Sequence, residues 1–261
     1  MPPLPLLART SAFRAAFARR QAVETVELPG AFAVRDPEFP LSQEHNQLIV
    51  DAPDADPAAL AGSAAQSLGQ REHYRITVVD GPLGERATPA LTAAGFSRDS
   101  AVVLARQTAG CTLPGAAARP AALAGIREAV FRQQSSWFQD EELVRQLTDR
   151  RAARLRGAEE VLFLAARTPE GHVAAWCDLY LDRAAGLAQL EDLVTAEPYR
   201  GQGHGDTLLA TGLALAAAAG IPQLFLLAEA SDWPRNWYAR RGFTEIGRSH
   251  SFLGGSCATG G

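Results

Sequence analysis

Apolar positions recur along the chain with two different periods, and the changes of period mark the elements. Between Ala121 and Gln134, Leu123, Ile126, Val130 and Phe131 fall at three- and four-residue spacing, which predicts a helix with one buried face. The same spacing from Glu141 to Arg156, with Leu143, Val144, Leu147 and Leu155 turned inward, predicts a second helix. Three runs of strand character follow: Val161 to Ala166, His172 to Leu181 and Leu187 to Thr195. The turns between them carry Pro169-Glu170-Gly171 and Asp182 to Gly186, as an antiparallel meander requires. A glycine-rich turn, Arg200 to Gly205, then opens a long Leu/Ala helix that stops at Gly220 ahead of Pro222. A strand from Gln223 to Ala228, a helix from about Pro234 to Arg241 and a strand from Thr244 to Phe252 complete the order.

The first half carries a faint echo of that ending. His73 to Val79 reads as a strand, Pro89 to Ala94 as a short helix closed by Gly95-Phe96, and Ala101 to Leu104 as a strand. Gly242-Phe243 closes the corresponding helix in the second half, so the chain holds one degenerate internal repeat. Between the halves, Gly110 to Pro120 is rich in Ala, Gly and Pro and has no period, the character of a linker. Two domains are expected, residues 1–115 and 116–261.

Composition narrows the classes. The 261 residues are 47% hydrophobic, which excludes intrinsic disorder. Lys+Arg 25 against Asp+Glu 29 gives a formal charge of -4, and a nucleic-acid binder would carry a basic stripe instead. All 25 basic residues are arginine, a bias that fits a GC-rich, bacterial genome. No apolar run approaches the ~18 residues of a membrane span. The start, MPPLPLLARTSAFRAAFARR, is amphipathic and punctuated by arginine, without the order of a signal peptide. Cys111, Cys177 and Cys257 are scattered, which suggests a reducing compartment, a cytoplasmic location and no structural disulfide or metal.

The glycine turn carries the chemistry. Glycines between a strand and a helix let successive N–H groups converge on one point, where the helix N-terminus adds positive potential: an anion cradle suited to pyrophosphate. No GK[ST] follows, so it is not a P-loop, and a meander precedes it, so it is not a dinucleotide fingerprint. Alone, it also reads as a tight turn with incidental glycines. Its context is more specific. Arg200-x-x-Gly203-x-Gly205, with Leu190-Glu191-Asp192-Leu193-Val194-Thr195 before it and Trp237-Tyr238-Ala239-Arg240-Arg241-Gly242-Phe243 after it, resembles the GCN5-related N-acetyltransferase (GNAT) superfamily over about residues 116–252.

That resemblance implies an α/β (α+β) fold, with a mixed, mostly antiparallel central sheet flanked by helices and here two tandem GNAT-like units. It also implies binding of acetyl-CoA or another short acyl-CoA, with direct acyl transfer to an amine in a ternary complex. The pyrophosphate would rest on the turn, Arg200, Gly201, Gln202, Gly203, His204, Gly205 and Asp206, and the pantetheine arm would pair with the backbone of Leu193, Val194 and Thr195. A backbone N–H near Leu193 or Val194 would polarise the thioester carbonyl. Tyr238 lies at the family position of the acid that protonates the departing thiolate; a phenol near pKa ~10 suits that task.

Glu191 is the favoured base, acting through water, with Asp192 as the second candidate and ion pairing with an arginine as the structural alternative. Period-2 alternation places Glu191 and Leu193 on one face and Asp192 and Val194 on the other. The family's asparagine after its fifth strand is Ser231 here, and Pro234 replaces an alanine; Ser231 and Asn236 are further cofactor contacts. Cys177 is read as a buried structural thiol and not as a nucleophile. Trp137, Phe138, Asp140, Trp176, Asp178 and Tyr180 are candidates for the acceptor pocket, whose ligand would be a small-molecule amine or a peptide N-terminus.

In the first half, the turn matching the phosphate turn is Asp51-Ala52-Pro53-Asp54-Ala55-Asp56, with no glycine and three carboxylates that would repel pyrophosphate. That unit is expected not to bind CoA but to pack beside the catalytic one, with the segment Pro29 to Asn46 reaching toward it. Neither nucleic acid nor membrane is expected as a partner, and the chain is expected as a monomer or homodimer. The competing class is a non-catalytic acyl-CoA-binding sensor.

Overall fold

The structure, a computed structural model, describes residues 4–254; Cys257 lies outside the described residues. The chain forms two compact units, Met1–Leu104 with Leu227–Gly261, and Ala105–Leu226.

The first unit opens with helix α1 (Leu6–Gln21), whose Ala15 and Ala18 pack on Phe32, Val34, Ile49 and Val79. Strands β1 (Glu24–Leu28) and β2 (Ala31–Arg35) turn at Gly30, where φ is +72° and an added Cβ would come within 2.9 Å of the Ala55 methyl. Strand β3 (Gln47–Val50), helix α2 (Leu60–Leu68), strand β4 (Tyr74–Val78), helix α3 (Gly81–Ala93) and strand β5 (Phe96–Gln107) follow. Leu48, Val50, Ile76 and Val78 from the strands meet Leu60, Ala64, Leu83, Ala87 and Leu91 from the helices in one core.

Helix α3 is longer than the short Pro89–Ala94 helix that the sequence predicts. The Asp80 carboxylate accepts the Leu83 N–H and starts the helix two turns earlier, leaving Pro89 inside it. The segment Pro29 to Asn46 is built into this unit: it supplies β2, and then a loop held by Asn46, whose amide donates to the Phe39 and Ser42 carbonyls at 2.8 and 2.9 Å.

The second unit contains strand β6 (Arg119–Pro120), helices α4 (Leu123–Ser135), α5 (Glu141–Asp149) and α6 (Arg151–Arg154), strands β7 (Glu160–Arg167), β8 (Val173–Asp182) and β9 (Leu187–Thr195), helix α7 (His204–Ala218) and the start of strand β10 (Gln223–Glu229). Its strands lie in the order β10-β9-β8-β7-β6, antiparallel except for the parallel β9/β10 pair. Ile126 and Val130 of α4 pack on Phe163, Ala165 and Trp176.

The helix expected over Glu141 to Arg156 is divided at Arg150 and ends at Arg154, one residue before Leu155. Leu155, expected inside, is 53% exposed, whereas Arg151 and Arg154 are buried. Helix α8 (Pro234–Ala239) and strand β11 (Thr244–Gly254) return to the first unit, where strands run β1-β2-β3-β4-β11-β5. Pro234 occupies the first turn of α8, where its missing N–H costs nothing.

Compact packing thus divides the chain differently from the halves 1–115 and 116–261. Strand β11 pairs antiparallel with β4 from His250↔Val78 to Gly254↔Tyr74 and so belongs with the first unit. The repeat survives in chain order: β3-turn-α2-β4-α3-β5 is matched by β9-turn-α7-β10-α8-β11. The mixed, mostly antiparallel sheet with flanking helices is the expected fold class.

Candidate active site

Two parallel strand pairs, one in each repeat, differ in how far they stay paired. In the first unit β3 and β4 stay paired to the end of β3, from Leu48↔Ile76 to Val50↔Val78, and the Val79 N–H donates to the Val50 carbonyl at 3.1 Å. In the second unit β9 and β10 pair only at Gln223↔Leu187, Leu224↔Ala188 and Phe225↔Gln189. The register carried one step further would join Leu190 to Leu226, and no such pair forms. Residues Glu191 to Thr195 of β9 are half-buried and lie beyond the last β9/β10 pair, along an edge where an extended ligand could lie.

A bulge shapes the same edge. Opposite Trp176 stands Val194, and opposite Asp178 stands Glu191, so two steps on β8 face three on β9. Asp192, within the bulge, has φ of +49°. The alternation expected for an unbroken strand therefore does not hold. Glu191 and Val194, partners of two residues on one face of β8, share that face, whereas period-2 pairing had separated them. Glu191 accepts a hydrogen bond from the Gln189 side-chain amide at 2.6 Å. Leu193, Val194 and Thr195 complete the strand, and Val194 packs at the margin of the α4 core.

The glycine turn follows as expected. Gly201 and Gly203 have φ of +76° and +84°, values that cost side-chain-bearing residues about 1–2 kcal/mol. Gly203 is the N-cap of α7 and offers no side chain to the first-turn N–H groups. By contrast, Asp140 caps α5 and Asp80 caps α3 with their carboxylates. The N–H groups of the first turn of α7 point out of the helix at its positive end. Arg200 and Gln202 are exposed, and the Gln202 amide donates to the Pro198 carbonyl at 3.1 Å.

Beneath the bulge lies a cluster that the sequence reading did not assemble. Arg151 and Arg154 both pair with Asp178, which is fully buried; the Arg154–Asp178 contact is 2.5 Å. The same two arginines reach Asp192 at 2.9 and 2.7 Å. Burial pushes the Asp178 carboxyl above its ordinary range, opposed by the two guanidinium groups beside it. Two cations and two anions cancel, which is the condition for placing them in a core. The i, i+3 spacing of Arg151 and Arg154 on one helix face was the available signal, and it competed with reading Leu155 as inward.

The other pocket candidates have mixed surroundings. Trp176 and Tyr180 are buried, Trp176 inside the α4 core. Asp140 is spent as a helix cap. Trp137 is 59% exposed and Phe138 40%. Trp137 and Arg200 border one cleft of about 660 Å3, walled also by Arg132, His172 and Tyr199. Burial raises the Cys177 thiol well above its usual value, which keeps it protonated and a poor nucleophile.

Tyr238, Ser231 and Asn236 lie in the first unit. Tyr238 is buried on α8, with its ring edge-on to Trp237 at 4.9 Å and Phe243 at 5.7 Å between centroids. Ser231 donates to the Glu229 carboxylate at 3.2 Å, and Asn236 is exposed. Among the described residues, no group of three or more His, Cys, Asp or Glu could hold a metal, and no helix is long and apolar enough to cross a membrane.

Residues 125–243 match the family model described as Acetyltransferase (GNAT) family. No curated protein matches the chain. Its fold is similar to that of a GCN5-related N-acetyltransferase from Kribbella flavida, at 16% identity and TM-score 0.65, over 99% of this chain and 98% of that one. A GCN5-related N-acetyltransferase from Sphaerobacter thermophilus is similar at 16% identity and TM-score 0.53, over 96% and 93%. A tandem GNAT protein from the clavulanic acid biosynthesis pathway is similar at 13% identity and TM-score 0.54, over 97% and 95%.

Proposed function

We propose that this chain, which over residues 125–243 belongs to the GNAT acetyltransferase superfamily, transfers an acetyl or other short acyl group from CoA to an amine. The observation that carries the reading is the early parting of β9 from β10, directly before a glycine turn whose N-cap, Gly203, brings no side chain to the start of α7. In the first repeat, the matching strands do not part. An extended pantetheine arm pairs along Leu193 to Thr195, and the pyrophosphate accepts N–H groups from Gly201 through Asp206.

The acceptor is a small amine or a peptide N-terminus, and it must be uncharged when it attacks. Glu191 takes its proton through water. The amine nitrogen bonds to the thioester carbon, and a backbone N–H at the β9 bulge stabilises the oxyanion. As the C–S bond breaks, Tyr238 supplies the proton that the CoA sulfur needs. No acyl-enzyme forms, because the buried Cys177 cannot serve as a nucleophile.

The test is a panel of amines offered with acetyl-CoA, with thiol release followed. Turnover with at least one amine is the expected result; no release with any amine, together with no binding of CoA, would sink the proposal. Tyr238→Phe is expected to lower kcat by about a hundredfold or more while CoA still binds. Unchanged turnover in that variant would remove Tyr238 as the acid.

A further inference from the structure

Asp192 combines two features that are each uncommon. Among the described residues it is the non-glycine residue with positive φ, at +49°, and it sits in the β9 bulge. Its carboxylate is also gripped from below, since Oδ2 accepts from Arg151 at 2.9 Å and from Arg154 at 2.7 Å. Both arginines are anchored in turn on the fully buried Asp178, one β8 residue from the bulge and opposite Glu191.

A side chain in the left-handed region is strained, and such conformations persist where the surroundings over-determine them. Here the surroundings are two guanidinium groups whose own positions are fixed by a second carboxylate, Asp178. We infer that Asp192 is a positioning residue, tethered by Arg151 and Arg154 in the left-handed conformation that keeps the bulge formed, and that this tether aims the Leu193 and Val194 peptide groups at the acyl donor. The inference rests on the acyl-transfer reading for its ligand.

Asp192 is correspondingly a poor general base. An oxygen committed to two permanently charged donors has little left for a substrate proton. A positioning role and a base role make opposite demands of glycine. Glycine lacks the carboxylate but adopts φ near +50° freely, so it preserves geometry and destroys basicity. Alanine destroys both.

The experiment compares Asp192→Ala, Asp192→Gly and Asp192→Asn in the full chain, with CoA affinity measured by calorimetry and backbone amide exchange followed over residues 191–195. Asp192→Ala is expected to weaken CoA about tenfold and to speed exchange at Leu193 and Val194. Asp192→Gly is expected to recover affinity to within about threefold of wild type. Asp192→Asn should do the same, since asparagine tolerates this conformation and still accepts from arginine. Equal losses in Ala and Gly, or an Ala variant that binds as wild type, would overturn the inference. If wild type itself binds no CoA, the acyl-transfer reading fails. The exchange arm still decides the tether, with faster exchange in Ala than in Gly supporting it and equal exchange in both refuting it. Should Asp192→Ala not fold, Asp192→Ser takes its place in the same comparison.

Discussion

A glycine can be required by a backbone angle or by a neighbour, and this chain has both cases. Gly203 is required by angle: φ is +84° and nothing stands within 4 Å of where a Cβ would sit. Gly203→Ala should therefore leave packing alone, cost about 1–2 kcal/mol of turn geometry, and raise the KM for the acyl donor while the melting temperature falls only slightly. Gly84 is required by a neighbour. A Cβ there would approach the His250 ring to 2.3 Å, and that ring is buried against α3. Gly84→Ala should destabilise by about 1–3 kcal/mol in a denaturant titration, less the small gain in helix propensity. Gly203 was legible in the sequence because a motif surrounds it. Gly84 was not, because its partner comes from the last strand.

His250 itself makes stability depend on pH. Its Nδ1 shares a hydrogen bond with the Ser100 hydroxyl at 2.9 Å, and its Nε2 stands 3.5 Å from Glu85. Burial pushes the imidazole below its ordinary value, assisted by the Arg98 and Arg248 charges and opposed by Glu85 and a hydrogen bond to the Gly81 backbone. The unfolded chain then binds the proton more readily than the folded one. The contribution is fully present above the unfolded value of about pH 6.5, and is lost as pH falls through the lower folded value. A melting temperature that falls on acidification below about pH 6.5, with that part of the slope missing in His250→Gln, is the expected pattern.

At the scale of elements, the strands were the most legible part of the second half, because each is a short apolar run bounded by turn residues. Helix α6 was the least legible. The spacing of leucines continues smoothly from α5, and nothing local announces that Arg150 interrupts it. What decides the phase is remote: Asp178 and Asp192, on neighbouring strands, require two cations, and α6 turns Arg151 and Arg154 toward them at the expense of Leu155. The bulge was invisible for a related reason, since no glycine marks it and a carboxylate held by arginines occupies its left-handed position. Asp178→Asn should remove one anion from beneath both guanidinium groups and destabilise the second unit by about 3–5 kcal/mol, read as a shift of the denaturation midpoint at constant slope. Replacing Arg151, Arg154, Asp178 and Asp192 together by apolar residues should cost much less, because no uncompensated charge is left behind.

At the scale of the whole molecule, the repeat pairs one turn expected to hold a pyrophosphate with one expected not to, and the surroundings of the two turns differ. Where the second repeat has a strand pair that parts early and a glycine at the helix N-cap, the first has Asp51 tied to Arg19 at 2.9 Å and Arg19 laid over the Phe32 ring at 3.5 Å. The amides of that turn are already engaged: the Ala52 N–H donates to the Gly30 carbonyl, Ala55 to Ala52, and Ala58 to the Asp56 carboxylate. A pyrophosphate would have to displace those acceptors and face the carboxylates of Asp54 and Asp56 as well. With no lysine in the chain to offset them, only arginine and backbone amides are available to hold a phosphate. The full chain should therefore saturate at one CoA per polypeptide in a calorimetric titration, and Gly203→Ala should weaken that single event rather than uncover a second. Saturation at two equivalents would mean that the closed turn opens for ligand. In that case Arg19→Ala, which frees Asp51, should shift the affinity of one event and leave the other where it was.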